Sequence, residues 1–524
     1  MSAAKDSSPT LAGANQPTSS VSVQTTPALT ILWHPDPSRV GAMFHFGDLG
    51  KSRKFSLSRN SPDFTFFTDT PGPLADPFLS RQPCLEFAVL DRGLKITALS
   101  QDLPISIDGQ LMQSPATFSE ADVARNPIVT LGRRLALCLH FAGPPSTPKP
   151  NLGFIGNSDA INAIRNSILS VADLHTPVLI RGETGTGKEL TANAIVQAGT
   201  RASKPFLAVN IGALPRELAA AEIFGHEKGA FTGATHARKG YFHEVDGGTL
   251  FLDEIGLATS DVQTALLRVL ETGQVRGLGA RTSTSVDVRI LAATDSITID
   301  GAVAGGGFSQ PLFHRLSSVP IRLPPLREHR QDIGLLFLHF LRQILTQTGD
   351  LEKLSTPPTA KRPWLSAQDL AAIAMAAWPG NVRQLRNFAT ELAVANRGFF
   401  VAHLTPALLS TLAHQLPPRS DPAGLPDQQR ARATVVPDQQ TKHAKLVDAL
   451  ANHDFEPSRA ARALRVSRST IYDHLRKDPT LGLLSRVSDE DFKRHLHECN
   501  GDLQLVAKRL RVSFRAVQLR FSKS

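Results

Sequence analysis

Between residues 28 and 142 the apolar positions come in short runs: FTFF (64–67), LEFAVL (85–90), LKITAL (94–99) and LALCLHF (135–141). Pro, Gly, Asp and Ser clusters separate them. Runs of this length between turn residues predict strands, and several in series predict a β-sandwich. The stretch 143–151 contains GPPSTPKP and predicts a stiff linker. From 152 to 322 helical periodicity alternates with buried-strand runs, the pattern of an α/β domain. Residues 323–412 read as mostly helical. A Pro/Gln/Asp-rich linker covers 413–441, and the remainder is helical. Residues 1–27 are rich in Ser, Thr, Ala and Gln and lack the apolar core of a signal peptide, so they predict a disordered tail.

The C-terminal helical region repeats itself. LRVS occurs at 464–467 and again at 510–513, an offset of 46 residues. At that offset Leu450 aligns with Leu496, Ala461 with Ala507, Ile471 with Val517 and Leu475 with Phe521. Apolar positions that coincide over a whole unit mark a duplicated fold, 442–478 and 487–524. Each copy reads as helix, helix, turn, helix. Ala460, Ala461 and Ala507 allow the close crossing of a helix-turn-helix, and Ser467 and Ser513 suit helix N-caps. The second helix of each pair would enter a major groove of double-stranded DNA. That nominates Arg468, Ser469, Thr470 and Arg476 in the first copy, and Arg515, Gln518 and Arg520 in the second. The alternative is that one copy only packs or dimerises.

Charge supports the nucleic-acid reading. The chain carries +10, and residues 442–524 hold 17 Lys/Arg against 10 Asp/Glu, so most of the excess sits in this tail. Three widely spaced cysteines, Cys84, Cys138 and Cys499, argue against a disulfide framework or structural zinc. No apolar run reaches the roughly 18 residues of a membrane span, so no membrane role is expected.

Chemistry concentrates in the α/β region. VLIRGETGTGKE (178–189) places an apolar strand before a glycine-rich turn and a helix. GETGTGK fits G-x-x-x-x-G-K, in which backbone N–H groups of Gly182, Glu183, Thr184, Gly185, Thr186 and Gly187 wrap phosphate oxygens and Lys188 reaches the outer phosphates. Glu189 stands where the general motif has a magnesium-binding hydroxyl. GGTLFLDEI (247–255) is an apolar strand ending in two acids: Asp253 suits Mg²⁺, and Glu254 suits polarising the attacking water. Between these motifs lies GAFTGA (229–234). Its flanking glycines predict an exposed loop with Phe231 and Thr232 at the tip, where an aromatic ring calls for a partner.

Together with FGHEKGAFTGA (224–234), QTALLRVLETGQVRGLG (263–279), LPPLREHRQDI (323–333) and WPGNVRQLRN (378–387), these motifs resemble the AAA+ domain of bacterial enhancer-binding proteins, the activators of sigma-54 RNA polymerase. The resemblance covers about 150–400. It implies a cytoplasmic, hexameric homo-oligomer that binds ATP with Mg²⁺ between subunits and remodels the closed polymerase–promoter complex. It places Ile155 and Gly156 near the adenine, makes Asn210 the partner of Glu254, and puts Thr294 and Asp295 at one nucleotide sensor and Arg383 at a second. It makes Phe231 and Thr232 the contacts to sigma-54. In FSQPLFHRL (308–316), Arg315 matches one of two arginines that face a neighbour's nucleotide, but Ser309 replaces the other. That departure keeps a second reading open: a DNA-bound regulator with weak ATPase activity, acting by site occupancy. A general AAA+ unfoldase or helicase fits the combination of GAFTGA and helix-turn-helix tail less well.

The C-terminal unit resembles a Fis-type DNA-binding domain. The N-terminal region is similar to an FHA domain, a phosphothreonine-binding sandwich. SLSRN (56–60) and FLSRQP (78–83) then offer Arg59, Ser80 and Arg81 to a phosphothreonine protein. Pro83 and Leu103 depart from that pattern, so a sandwich that contacts protein without phosphate remains the alternative. The expected architecture is multidomain: an N-terminal β-sandwich, a central α/β AAA+ P-loop domain with a helical lid, and a C-terminal all-α helix-turn-helix repeat.

Overall fold

In the computed structural model the first region forms a two-sheet sandwich. Its strands are β1 (Thr26–Trp33), β2 (Met43–His45), β3 (Lys54–Leu57), β4 (Leu85–Leu90), β5 (Gly93–Ala98), β6 (Ile105–Ile107), β7 (Gln110–Leu111), β8 (Ala116–Phe118), β9 (Ile128–Leu131) and β10 (Leu135–Ala142). One sheet runs β2-β1-β10-β9-β6-β7 and the other β3-β4-β5-β8. A short helix, α1 (Glu120–Val123), opens on a capping box between Ser119 and Asp122. Phenylalanines join the two sheets: Phe44 and Phe46 pack against Phe55, which itself stacks at 4.8 Å on Phe87, its cross-strand neighbour in the four-stranded sheet. In FTFF, Phe66 and Phe67 lie outside the described residues, and the first two residues differ from expectation. Phe64 and Thr65 make single bridges, to Gly72 and Met43, and the Phe64 ring packs in this aromatic core.

The structure describes residues 25–49, 53–65, 71–144, 150–355, 362–415 and 489–498, with Val506, Val517 and Phe521. It divides into Met1–Pro418 and Arg419–Ser524.

The central region is a parallel sheet flanked by helices. Its helices are α2 (Asp159–Val171), α3 (Lys188–Ala198), α4 (Ala219–Phe224), α5 (Tyr241–Glu244), α6 (Ser260–Thr272), α7 (Ser296–Ala304) and α8 (Gln310–Leu316). The strands are β11 (Val178–Arg181), β12 (Phe206–Asn210), β15 (Thr249–Asp253), β18 (Arg289–Thr294) and β19 (Val319–Arg322), in the order β12-β15-β18-β11-β19. Two small hairpins interrupt it: β13 (Gly225–His226) with β14 (Arg238–Lys239), and β16 (Gln274–Val275) with β17 (Thr284–Ser285). Val178, Leu179 and Ile180 are buried in succession, as a strand covered on both faces requires.

The lid is α9 (Ile333–Thr348), α10 (Ala367–Met375), α11 (Asn381–Ala395) and α12 (Pro406–Gln415). It does not stand apart from the sandwich. Along β10, Leu135, Leu137 and Leu139 enter the sandwich core, while Ala136 and Cys138 join Phe337, Leu341, Ile373 and Trp378 in the lid core. The two-residue period of a strand serves two cores at once. Trp33 donates its indole N–H to the Leu365 carbonyl at 3.0 Å, and the Ala367 N–H bonds the Arg133 carbonyl at 2.9 Å. Gly334 lets the backbones touch: a Cβ there would stand 2.3 Å from the Leu32 carbonyl oxygen.

In the second unit, α13 (Asp489–Glu498) buries Phe492. Val506 and Val517 are helical and fully buried. Arg468, Ser469, Thr470, Arg476, Arg515, Gln518 and Arg520 lie outside the described residues. Among the described residues no helix is long and apolar enough to cross a membrane.

Candidate functional site

The parallel sheet delivers the chemistry at the carboxyl ends of its strands, where open α/β folds bind ligands. Arg181 pairs with Thr294 across β11 and β18, and Asn210 with Asp253 across β12 and β15. The glycine-rich turn therefore leaves the same end of the sheet as both acids, with β18 between β11 and β15. Gly185 and Gly187 have φ of +80° and +100°, conformations that glycine adopts without strain. Lys188 opens α3 and donates Nζ to the Gly182 carbonyl at 2.9 Å and to the Glu183 carbonyl at 3.3 Å. The Gly182 N–H bonds the Thr294 carbonyl at 3.2 Å, which joins the turn to the end of β18. Asp295 turns its carboxylate to the Thr298 N–H at 3.3 Å.

Asp253 Oδ1 accepts the N–H of Glu254 at 3.0 Å. Glu254 holds φ at +55°, a left-handed conformation unusual for glutamate that turns its chain sharply at the end of β15. The two carboxylates form an all-oxygen donor set of the kind hard divalent cations take, so these residues fit Mg²⁺. Among the described residues, no group of three or more His, Cys, Asp or Glu gathers into a metal cluster.

The expected Asn210–Glu254 pair is not made. Asn210 Oδ1 accepts the Ala213 N–H at 3.2 Å and caps the turn Ile211–Ala213. Both side chains still converge on Gly212. A Cβ there would lie 2.6 Å from Glu254 Oε2 and 3.2 Å from Asn210 Oδ1. The capping bond holds the amide on its own turn in this state.

Ile155 and Gly156 form the turn before α2, under the start of the lid. Asp332, fully buried, accepts the N–H of Asn157 at 2.7 Å and of Ser158 at 3.1 Å and pairs with His329 at 3.1 Å. Burial opposes its ionisation, but the His329, Ser158 and Asn157 hydrogen bonds outweigh it and hold its carboxyl below the usual range. Arg383 packs at the glycine-rich turn, its Cβ 3.1 Å from where a Cβ on Gly185 would stand. Sequence reasoning missed the groups that join turn and lid, Arg327 and Asn381. The only signal was their place in LPPLREH and WPGNVRQ.

GAFTGA closes on itself. The Gly229 N–H bonds the Ala234 carbonyl at 2.8 Å, and the Ala234 N–H the Phe231 carbonyl at 3.0 Å. Phe231 is not the exposed tip that the sequence suggested. Its ring is half-buried, edge-on to His226 at 5.1 Å, while Thr232 is exposed. The second hairpin braces the loop base through Glu227 N–H to the Leu278 carbonyl and Leu278 N–H to the Gly225 carbonyl, at 2.9 and 2.8 Å.

Ser309 has a structural role that its missing-arginine reading did not foresee. It caps α8, with Pro311 in the first turn, and its N–H bonds Gln263 Oε1 at 2.7 Å. Arg315, on the same helix, is exposed. In the sandwich, Arg59 and Ser80 meet through backbone, Arg59 N–H to the Ser80 carbonyl at 2.9 Å, with Arg81 exposed beside them. Arg59 Nε donates to the Asp76 carbonyl at 2.8 Å, and Asp76 is buried against Arg134.

Residues 154–322 match the sigma-54 interaction domain and 327–420 the AAA+ ATPase lid domain. The DNA-binding transcriptional regulator NtrC of Salmonella typhimurium is 39% identical over 346 residues, covering 63% of this chain and 70% of that protein. The chain belongs to the NtrC-type family of sigma-54-interacting regulators. The Escherichia coli NtrC is 46% identical over 249 residues, 48% of this chain and 51% of that protein. The Nif-specific regulatory protein of Bradyrhizobium diazoefficiens is 43% identical over 259 residues, 49% of this chain and 42% of that protein. The matches to these last two span about half the length of each relative. The two family models together cover the α/β domain and the lid, the part that carries the glycine-rich turn and GAFTGA.

Proposed function

We propose that this protein is a sigma-54-dependent transcription activator that hydrolyses ATP to remodel the closed polymerase–promoter complex. The observation that carries the reading is the convergence, at the carboxyl ends of one parallel sheet's strands, of the 182–188 turn, Asp253, Glu254 and Thr294, with GAFTGA inserted between β12 and β15. Backbone N–H groups of the turn and Lys188 bind the phosphates. Glu254 orients and polarises the attacking water, and Asn210, released from its capping bond, meets it. Mg²⁺ held by Asp253 would neutralise phosphate charge. Glu189 contributes through its backbone at the start of α3, Ile155 and Gly156 border the base, and Thr294, Asp295 and Arg383 read the nucleotide. Arg315 reaches a neighbouring subunit in a hexameric ring, and Phe231 with Thr232 contacts sigma-54 once the loop lifts.

The two C-terminal repeats bind double-stranded DNA upstream, and the FHA-like sandwich meets a phosphothreonine protein through Arg59, Ser80 and Arg81. Titrating phosphothreonine peptides against the sandwich tests that last point, and no binding removes it. Ser309 favours the second reading, occupancy of DNA with little hydrolysis. Transcription in vitro with sigma-54 polymerase separates the two. Activation that requires hydrolysable ATP and is lost in Glu254→Gln supports the activator; repression or activation indifferent to ATP rejects it.

A further inference from the structure

Three consecutive residues of the phosphate-binding turn are bonded to the lid. The Glu183 carboxylate accepts Arg327 Nη1 at 2.9 Å, Arg327 Nη2 at 2.6 Å and Asn381 Nδ2 at 3.1 Å. The Thr184 carbonyl accepts Asn381 Nδ2 at 3.0 Å, and the Gly185 carbonyl accepts the Val382 N–H at 3.1 Å. Asn381 is fully buried and opens α11 at φ +49°. Its other end, Oδ1, accepts the Leu326 N–H at 2.8 Å. One carboxamide thus joins the turn, the entry to the lid and the first residue of α11. Only a side chain with a donor and an acceptor at this reach can do so: aspartate cannot donate, and would set a second carboxylate against Glu183.

Two residues further along the same helix is Arg383, packed on Gly185. The arginine that the lid offers to the nucleotide is therefore carried by a helix fastened to the very loop that wraps the phosphates. The Glu183–Arg327 pair is partly exposed, its side chains 28% and 41% accessible, so by itself it contributes little stability. Its bidentate geometry fixes orientation instead.

We propose that Asn381, Glu183 and Arg327 form a clamp that holds the lid in register with the phosphate-binding turn and so positions Arg383 on bound nucleotide. The inference rests on the nucleotide-site reading above. These three are positioning residues acting through Arg383. A lid clamped in this way follows the turn when phosphate fills it, and the sandwich follows the lid through their common core.

The test is the dissociation constant of a fluorescent ADP, which needs no hydrolysis, measured on the full chain and its variants Arg327→Met, Asn381→Asp, Arg383→Ala and Arg327→Met with Arg383→Ala. Arg327 is accessible enough that its replacement leaves the fold intact; thermal unfolding monitors this, and Asn381→Asp is the more demanding probe. Arg327→Met and Asn381→Asp are expected to weaken binding roughly tenfold, and adding Arg383→Ala to Arg327→Met to weaken it no further, because both act through one contact. Arg327→Lys is expected to recover part of the loss. Independent, additive losses in the double variant, or binding within twofold of wild type in Arg327→Met, overturn the clamp. If the wild type itself shows no Lys188-dependent binding, the nucleotide site and the clamp fall together; additivity with wild-type binding intact removes the clamp alone.

Discussion

Trp33 of the sandwich donates its indole N–H to the carbonyl of Leu365 in the lid, 332 residues away in sequence, across 3.0 Å of buried space. Around this bond the outer face of the six-stranded sheet and helices α9–α11 share one apolar core. The sandwich is therefore built onto the lid and is not tethered beside it. Trp33→Ala is expected to cost about 3–5 kcal/mol, through cavity formation and an orphaned carbonyl. It should lower the unfolding midpoint of sandwich and lid together. Calorimetry of the full chain checks this, and a loss confined to one transition would contradict the common core.

Ser309 both caps α8 and occupies the position of an expected trans arginine. Ser309→Arg removes a cap worth about 1 kcal/mol. If the neighbour's nucleotide lies within reach of this position, the new guanidinium raises ATP turnover in the assembled protein several-fold while lowering thermal stability slightly. Steady-state ATPase assays across protein concentration, paired with unfolding curves, measure both effects. Unchanged turnover at every concentration would show that the capped helix start is sufficient.

Thr232 is exposed at a loop whose aromatic neighbour rests on His226. Thr232→Ala removes one hydroxyl and no buried contact. ATP hydrolysis is expected to stay within about twofold of wild type, since surface changes of this kind are small. Open-complex formation with sigma-54 polymerase should be lost, and normal promoter opening by the variant would remove Thr232 from the contact.

Buried histidines give the fold an acid-sensitive side. His140 is pushed below the ordinary imidazole range by burial, as is His34. The Phe141 carbonyl can only accept, so His140 Nδ1–H donates a hydrogen bond to it at 3.0 Å; Nε2 in the neutral ring then accepts the Thr30 hydroxyl at 2.7 Å. With folded values lowered, the unfolded chain binds more protons between the folded value and about 6.5, so stability is full above that pH and is lost as pH falls through the window. Unfolding midpoints at pH 7.5 and 5.5 are expected to differ, and His140→Gln should narrow the difference. An unchanged difference would show that His140 does not carry it.

Much of the fold was legible in the linear pattern. LEFAVL became a strand over the same six residues, 85–90, and the glycine-rich turn follows β11 as its spacing required. Local propensity and periodicity suffice for such elements, because what decides them lies within a few residues. The run LALCLHF showed a strand but not its two partners: alternate residues feed two cores, and nothing nearby says that a lid supplies the second. The same limit applies in the site. The phosphate-loop, acid-pair and sensor expectations came from short motifs, and the structure brings those segments to the carboxyl ends of one parallel sheet. Tertiary structure alone decided that Glu183 serves Arg327 and Asn381, that Asn210 caps its own turn, that Phe231 lies down on His226, and that Ser309 starts a helix. Glu183 meets groups 144 and 198 residues away and the Ser309 N–H reaches Gln263, 46 residues back, which packing determines and a sequence pattern does not encode. The Asn210 and Phe231 contacts are local, but which of several local partners each side chain takes is again set by packing.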